Sequence, residues 1–148
     1  MQFSNLAPII EVPFGVRAEV KRPIPEFYAT VGEAGIRALV DRHYELLKKS
    51  PIKSLFPIED PDEFAAAKKH AADFFIQFCG GPQYFNKSRG APRMVGRHAP
   101  FRITPSARRI WLETYQVALQ DTQASEAAVS SFWDYLNTFS TWMVNTPE

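Results

Sequence analysis

Apolar residues recur at helical spacing along most of this chain, and no segment of useful length alternates between apolar and polar positions. Between Glu33 and Lys49 the apolar positions lie three or four residues apart, as on one side of an α-helix. They are Ile36, Val40, Tyr44 and Leu47. A strand would show a period of two, so the pattern predicts an all-α domain. For Tyr44 the pattern alone favours a core residue whose hydroxyl bonds to a backbone carbonyl.

A second helix is predicted from Asp60 to Cys79. Asp60 can cap it, Pro61 suits its first turn, and Gly80-Gly81-Pro82 ends it. Its apolar stripe has alanines at the centre and aromatic rings towards the ends: Phe64, Ala67, Ala71, Phe74, Phe75 and Phe78. Such a stripe permits either close helix packing or the approach of a bulky group. Lys69 and His70 are expected to flank it and to reach towards solvent.

Two further helices begin at Thr104-Pro105 and at Ser125, where a hydroxyl can cap the first turn. The first carries Trp111 between small residues, and the last carries a regular core stripe from Val129 to Met143. Residues 82–92 are predicted to form a polar loop. Residues 1–25 contain four prolines among short apolar pieces, which predicts an extended arm over the surface.

The amino-acid composition argues against several classes of protein. The net charge of +1 argues against a nucleic-acid binder, and the single cysteine, Cys79, excludes a disulfide framework, a cysteine-rich zinc site and an Fe–S cluster within the chain. Residues 1–20 lack the features of a signal peptide, and no apolar run is long enough to span a membrane. We therefore expect a soluble cytoplasmic domain.

The segment from Gly90 to Phe101 contains the most suggestive chemistry. A short helix here must end near His98, because Pro100 follows. A neutral imidazole held at a helix end suits an axial ligand of haem iron, and Arg93 and Arg97 could bind haem propionates. On these residues alone a surface or capping histidine is the commoner interpretation.

Several blocks together resemble the group II (O-type) truncated haemoglobins. They include Gly80-Gly81-Pro82, the run from Arg97 to Ile103 with its Arg-His-Ala-Pro-Phe core, Trp111-Leu112, and the run from Leu39 to Tyr44. The resemblance covers about residues 26–148. It implies an all-α, two-over-two helical sandwich around haem b, with residues 1–25 as an N-terminal extension and residues 26–148 as the truncated globin domain.

The resemblance also implies a role for each matching residue. His98 would be the iron ligand, and Tyr44 and Trp111 would face the iron-bound ligand on the distal side. The residues expected against the cofactor are Phe56, Ala67, His70, Ala71, Phe74, Phe75, Phe85, Met94, Arg97 and Phe101. Arg97 would pair with a propionate, whereas His70 would enter the pocket, as a second candidate iron ligand, only if the second helix were shifted in register.

The implied function is binding of dioxygen, CO, NO or similar diatomic ligands. The alternative is a redox enzyme at the same haem, an NO dioxygenase or a peroxidase-like protein, which would need a separate reductase. A third hypothesis is a haem-free helical interaction module. It does not explain why His98 and the distal donors occur in the same chain. A monomer and a homodimer both fit the sequence.

Overall fold

The computed structural model describes residues 6–148, and within them it contains helices and no strand. The helices are α1 (Pro25–Leu47), α2 (Pro61–Phe78), α3 (Tyr84–Arg89), α4 (Met94–His98), α5 (Pro105–Ala118) and α6 (Glu126–Phe139). Short 3-10 turns occupy Lys53–Leu55, Leu119–Asp121 and Ser140–Trp142. The predicted all-α fold is confirmed. No helix in this part of the chain is long and apolar enough to cross a membrane.

The helix starts follow the capping signals in the sequence. The Asp60 carboxylate accepts hydrogen bonds from the backbone N–H groups of Asp62 and Glu63, and the Thr104 and Ser125 hydroxyls accept from the third residue beyond each of them. α1 begins earlier than predicted, at Pro25, and is interrupted at Gly32, whose φ of 69° is accessible to glycine at little cost. The predicted start at Glu33 is therefore the restart of a broken helix.

α1 packs against α2, α5 and α6, so that these four helices enclose the core. The rings of Phe27 and Phe132 stack with centroids 4.5 Å apart, which joins the first turn of α1 to the middle of α6. Ile36, Val40 and Leu47 are buried as their spacing predicts, and Tyr44 on the same face is half-buried.

The predicted loop at residues 82–92 is wrong for its central part, because Tyr84–Arg89 form α3. The cause is tertiary. Phe85 is 2% exposed and contacts the ring of Phe74 edge-on at 5.8 Å. The Gln77 side chain donates to Asn86 Oδ1 and accepts from the Asn86 backbone N–H, both at 3.0 Å. A polar segment around one buried aromatic ring has no helical period of its own, so tertiary contacts such as these with α2 stabilise the turn.

Residues 6–24 contain no helix or strand and lie along α6 and the turn after it. The indole N–H groups of Trp133 and Trp142 donate to the carbonyls of Ala7 and Ala18, both at 2.7 Å. Asn137 donates to the Pro8 carbonyl and accepts from the Ile10 N–H. Side chains of α6 and of the turn after it thus supply the partners that a strand would supply to an extended backbone.

Asp73 is a buried carboxylate on α2, 1% exposed, and it is held by Arg37 at 2.8 Å and by Lys69 at 2.9 Å. Burial alone raises the pKa of Asp73, but the hydrogen bonds and charges of Lys69 and Arg37 outweigh burial and lower it. A depressed pKa contributes stability above the unfolded-state pKa of about 4, and this stability is lost as the pH falls through the folded-state pKa.

We expect Asp73→Asn to lower the free energy of unfolding by about 2–3 kcal/mol at pH 7, since hydrogen bonds to charged groups are worth about that much. The difference from wild type should vanish in acid, which urea unfolding at several pH values would measure. Asp121→Asn is the matched control, because Asp121 forms an exposed ion pair with Arg42 and should cost at most about 1 kcal/mol. Equal losses in both variants would contradict the prediction.

Candidate functional site

His98 is the last residue of α4 and lines a cavity of about 310 Å³. Its Nδ1 lies 2.6 Å from the Met94 carbonyl oxygen, so Nδ1 carries the proton and donates. Burial lowers the pKa of His98 despite this bond, and the imidazole is neutral at pH 7. Nε2 therefore keeps its lone pair. This is the arrangement that a metal-binding histidine adopts when its second ring nitrogen is oriented by the protein.

Bonds from outside α4 fix its position. Asn145 donates to the carbonyls of His98 and Phe101, at 3.2 and 2.9 Å, and so ties the end of α4 to the C-terminal segment. At the other end Arg93 has a φ of 43°, a left-handed conformation that is uncommon for a residue with a side chain. A helix of five residues is too short to be stable by itself, so these contacts hold His98 in place.

Arg97 contributes to the same framework. Its Nε donates to the Pro92 carbonyl, its Nη2 donates to the carbonyls of Arg89 and Ala91, and its guanidinium lies 5.1 Å from the centre of the Phe85 ring. In this arrangement Arg97 joins the end of α3 to α4, and only Nη1 remains for an additional anion. The resemblance implies a propionate partner for Arg97, and these bonds leave only Nη1 to serve it.

Tyr44 and Trp111 line the cavity from α1 and α5. The Tyr44 ring meets Phe56 and Phe64 edge-on, and burial raises the pKa of Tyr44 to about 12, so its hydroxyl remains a donor at neutral pH. Within residues 6–148 no protein group accepts from the Tyr44 hydroxyl or the Trp111 indole N–H. The carbonyl partner that the pattern favoured for Tyr44 is therefore absent, and both donors are available to a bound molecule.

His43 supports this side of the cavity from behind. It is fully buried, burial lowers its pKa to about 3, and its Nε2–H donates to the Trp111 carbonyl at 3.1 Å. Its ring stacks on Tyr115 with centroids 3.5 Å apart and meets Trp111 edge-on at 5.4 Å. The neutral histidine thus orients Trp111 and Tyr115, two residues of the cavity wall.

Along α2 the cavity is lined by Ala67, His70, Ala71, Phe74 and Phe75. The expectation that His70 reaches solvent is wrong: it is half-buried, and its Nδ1 is buried without a partner in this part of the chain. Burial lowers the pKa of His70, and Arg89, Lys69 and Arg97 lower it further against the opposing charge of Asp73. His70 therefore faces the cavity as a neutral ring.

All thirteen residues assigned to the site from the sequence line this one cavity, including Phe56, Phe85, Met94 and Phe101. The sequence interpretation missed several wall residues: Ile52, Leu55, Pro57, Arg89, Ile103, Ala107, Arg108, Tyr115, Phe139, Ser140 and Met143. The stripes of the last two helices could have indicated Ala107, Phe139 and Met143. Nothing in the local pattern marked Arg108.

Arg108 is a buried guanidinium, 7% exposed, with no carboxylate partner in the described chain. It donates to the carbonyls of Asn137 and Ile10 and to the Ser140 hydroxyl, at 2.6, 2.8 and 2.8 Å. Burial lowers the pKa of Arg108. Because one acceptor is Ile10, the N-terminal arm completes the hydrogen bonding of a residue in the cavity wall.

Comparison with known proteins agrees with this geometry. The family model described as "Bacterial-like globin" matches residues 26–145. The crystal structure of phosphate-bound Hell's gate globin IV is 37% identical, with a TM-score of 0.86 over 96% of this chain and 89% of that chain. Group 2 truncated haemoglobin YjbI of Bacillus subtilis is 32% identical over 82% of this chain and 89% of its own length.

A plant relative matches a shorter segment. Two-on-two hemoglobin-3 of Arabidopsis thaliana is 44% identical over 50 residues, which are 34% of this chain and 29% of that protein. The family match extends over most of the chain and agrees with its helical architecture. The chain belongs to the bacterial-like globins, and within them to the group II truncated haemoglobins, a family of haem proteins that bind diatomic ligands.

Proposed function

We propose that this globin binds haem b, with His98 as the residue that would hold the iron and with Tyr44 and Trp111 as the donors that would hydrogen-bond to bound dioxygen. The observation that carries the proposal is the His98 Nδ1–H bond to the Met94 carbonyl, which leaves Nε2 as a lone-pair donor at the cavity. Neutral imidazole is the usual ligand of globin iron. The fit is good, because apolar side chains form most of the remaining wall.

Polar groups at one side of the cavity suit the propionates. Arg97 keeps Nη1 free after its three backbone bonds, and Arg89 is exposed while lining the cavity. His70 has an unpartnered buried nitrogen close to these cations. A carboxylate placed here would gain charge-assisted hydrogen bonds, which are stronger than neutral ones.

When bound, haem supplies the iron that binds the diatomic ligand. The protein's contribution on the other side is two donors with few competing acceptors. The Tyr44 hydroxyl stays protonated because its pKa is raised to about 12, and the Trp111 indole N–H is a permanent donor. Hydrogen bonds to a group that carries negative charge are worth about 1.5–3 kcal/mol each, so the two donors favour ligands with a polar bound state.

The proposed function is tested by absorption spectra of the reconstituted protein in ferric, ferrous and CO-bound forms. A Soret band that shifts on addition of CO is the expected result. A protein that retains no haem after reconstitution and gel filtration would refute the proposal, and the haem-free interaction module would then be the remaining hypothesis.

We predict that His70→Ala leaves the ligand-free ferrous spectrum unchanged, because we assign His70 to the cationic edge with Arg89 and Arg97 and not to the iron. The spectrum should be that of five-coordinate iron in both proteins. A six-coordinate, low-spin spectrum in the wild type that becomes five-coordinate in His70→Ala would instead show that His70 binds the iron.

Redox chemistry at the same haem, as NO dioxygenation or peroxide reduction, is the second candidate function. The observation that favours it is that the cavity opens to solvent at Arg89 and Phe101, which line the cavity and are also exposed. An electron donor can therefore approach the edge of the cavity. A separate reductase would supply the electrons. NO consumption by the oxygenated form, no faster than in a storage globin, would exclude NO dioxygenation.

A further inference from the structure

Positive charge is concentrated in one part of the sequence. Residues 74–112 contain seven Lys and Arg and no Asp or Glu, whereas the remaining residues contain ten Lys and Arg and all 16 acidic residues. The net charge of +1 therefore combines a segment of +7 with a remainder of −6. This segment forms the last turn of α2, all of α3 and α4, and the first part of α5, and it includes His98.

Four of the seven cations are exposed and form no ion pair within residues 6–148: Lys87, Arg89, Arg93 and Arg102. The other three are engaged, since Arg97 binds backbone carbonyls, Arg108 is buried and Arg109 pairs with Glu11. Val95 and Phe101 lie between the four exposed cations in the sequence and are 39% and 46% exposed. We call these six residues the cationic surface.

No carboxylate of residues 6–148 forms an ion pair with the four exposed cations of this surface. Asp73 is buried on α2 and is held by Arg37 and Lys69. Two haem propionates would cancel at most two charges, and Arg97 and His70 already offer donors for them. An excess of positive charge therefore remains around the exposed apolar pair.

The cationic surface includes the place where the cavity reaches solvent. Arg89 and Phe101 belong to both the surface and the cavity wall, and Arg97 and His98 lie between them in the sequence. The edge of a flat cofactor in the cavity would be closest to an approaching molecule here. Two apolar residues among cations also match the composition of a small interface, with an apolar centre and a polar rim.

We propose that the cationic surface docks an acidic electron-transfer protein that donates single electrons to the iron, an inference that rests on the proposed function. In each encounter the donor is oxidised by one electron and ferric iron is reduced to ferrous, with no proton or group transferred. Electron-transfer complexes are small and transient, so a few cations around an apolar pair suffice. Opposite charge raises their association rate by about 10–10³-fold at low salt.

The experiment uses the haem-loaded full chain with reduced flavodoxin, an acidic one-electron donor, as the probe. Stopped-flow absorbance gives the rate of iron reduction, and a titration with oxidised flavodoxin gives the Kd, a readout independent of turnover. The rate should fall at least about tenfold when the ionic strength rises from about 0.01 M to about 0.3 M. A rate that does not depend on salt would overturn the proposal.

The test variant is Lys87→Glu/Arg102→Glu, which reverses two charges of the cationic surface outside the cavity wall. The matched control is Lys21→Glu/Lys49→Glu, which changes the net charge equally at exposed positions elsewhere. At low salt the test variant should slow reduction by flavodoxin and raise the Kd, each by about 10–100-fold. The control variant should change the rate and the Kd by less than about threefold. Equal losses would assign the effect to net charge and overturn the proposal.

Two further measurements separate the outcomes. Basic cytochrome c should bind the wild type less well than the test variant. If instead phosphatidylserine/phosphatidylcholine vesicles bind the wild type, flavodoxin does not, and the test variant abolishes vesicle binding, the surface is a lipid site and the proposal fails. A missing Soret band would refute the proposed function and the electron transfer that rests on it. The docking itself is tested separately, because the flavodoxin titration does not depend on haem absorbance.

Discussion

Replacing His98 by glycine is expected to lower haem affinity by more than about 100-fold and to change the ferric spectrum. Removing a group that only orients a metal ligand costs about 10–100-fold, so loss of the ligand itself should exceed that range. His98 is the only histidine of α4, so no second imidazole on this helix can replace it. Haem transfer to an apo-acceptor protein, followed at the Soret band, measures the loss.

The control for this variant is chemical rescue. Free imidazole added to His98→Gly should occupy the vacated space and restore a histidine-like spectrum. The reason is that the variant lacks only the imidazole group, while the backbone of α4 is retained. His70→Ala, which removes the other cavity histidine, should retain haem. Normal haem retention in His98→Gly without imidazole would refute the ligand assignment.

Tyr44→Phe and Trp111→Phe should each accelerate dioxygen dissociation by about ten- to a hundredfold. Each variant removes one donor of a hydrogen bond worth about 1.5–3 kcal/mol to a partly charged ligand, and each 1.4 kcal/mol is tenfold in rate. CO, which carries less negative charge when bound, should dissociate at nearly the wild-type rate. Stopped-flow displacement of dioxygen by CO gives the first rate, and displacement of CO by NO gives the second.

The matched control is Tyr135→Phe. Tyr135 is fully buried, its hydroxyl has no hydrogen-bond partner in the described chain, and it does not line the cavity. Its loss should leave dioxygen dissociation unchanged. The Tyr44→Phe/Trp111→Phe double variant should fall short of the product of the single effects, because both donors face one ligand. Unchanged dissociation in both single variants would refute the proposed distal donors.

Local signals predicted most of the helices because caps and stops depend on a few neighbouring residues. Asp60, Thr104 and Ser125 are helix caps in the structure as their sequence contexts predict. The exception, α3, has no stripe or cap, and it forms because Phe85 is buried against Phe74. Contacts between residues distant in sequence produce no hydrophobic periodicity within the segment. Such an element therefore could not be predicted from its own residues.

The sequence by itself determined that the chain is helical and that His98 lies at the end of a short helix before Pro100. These features follow from hydrophobic period, capping and proline geometry, which act over a few residues. Only the tertiary structure decided that His70 faces the cavity, that Arg97 binds three carbonyls and that His43 supports Trp111. Each of these depends on how one helix or loop is placed against another, which no local pattern specifies.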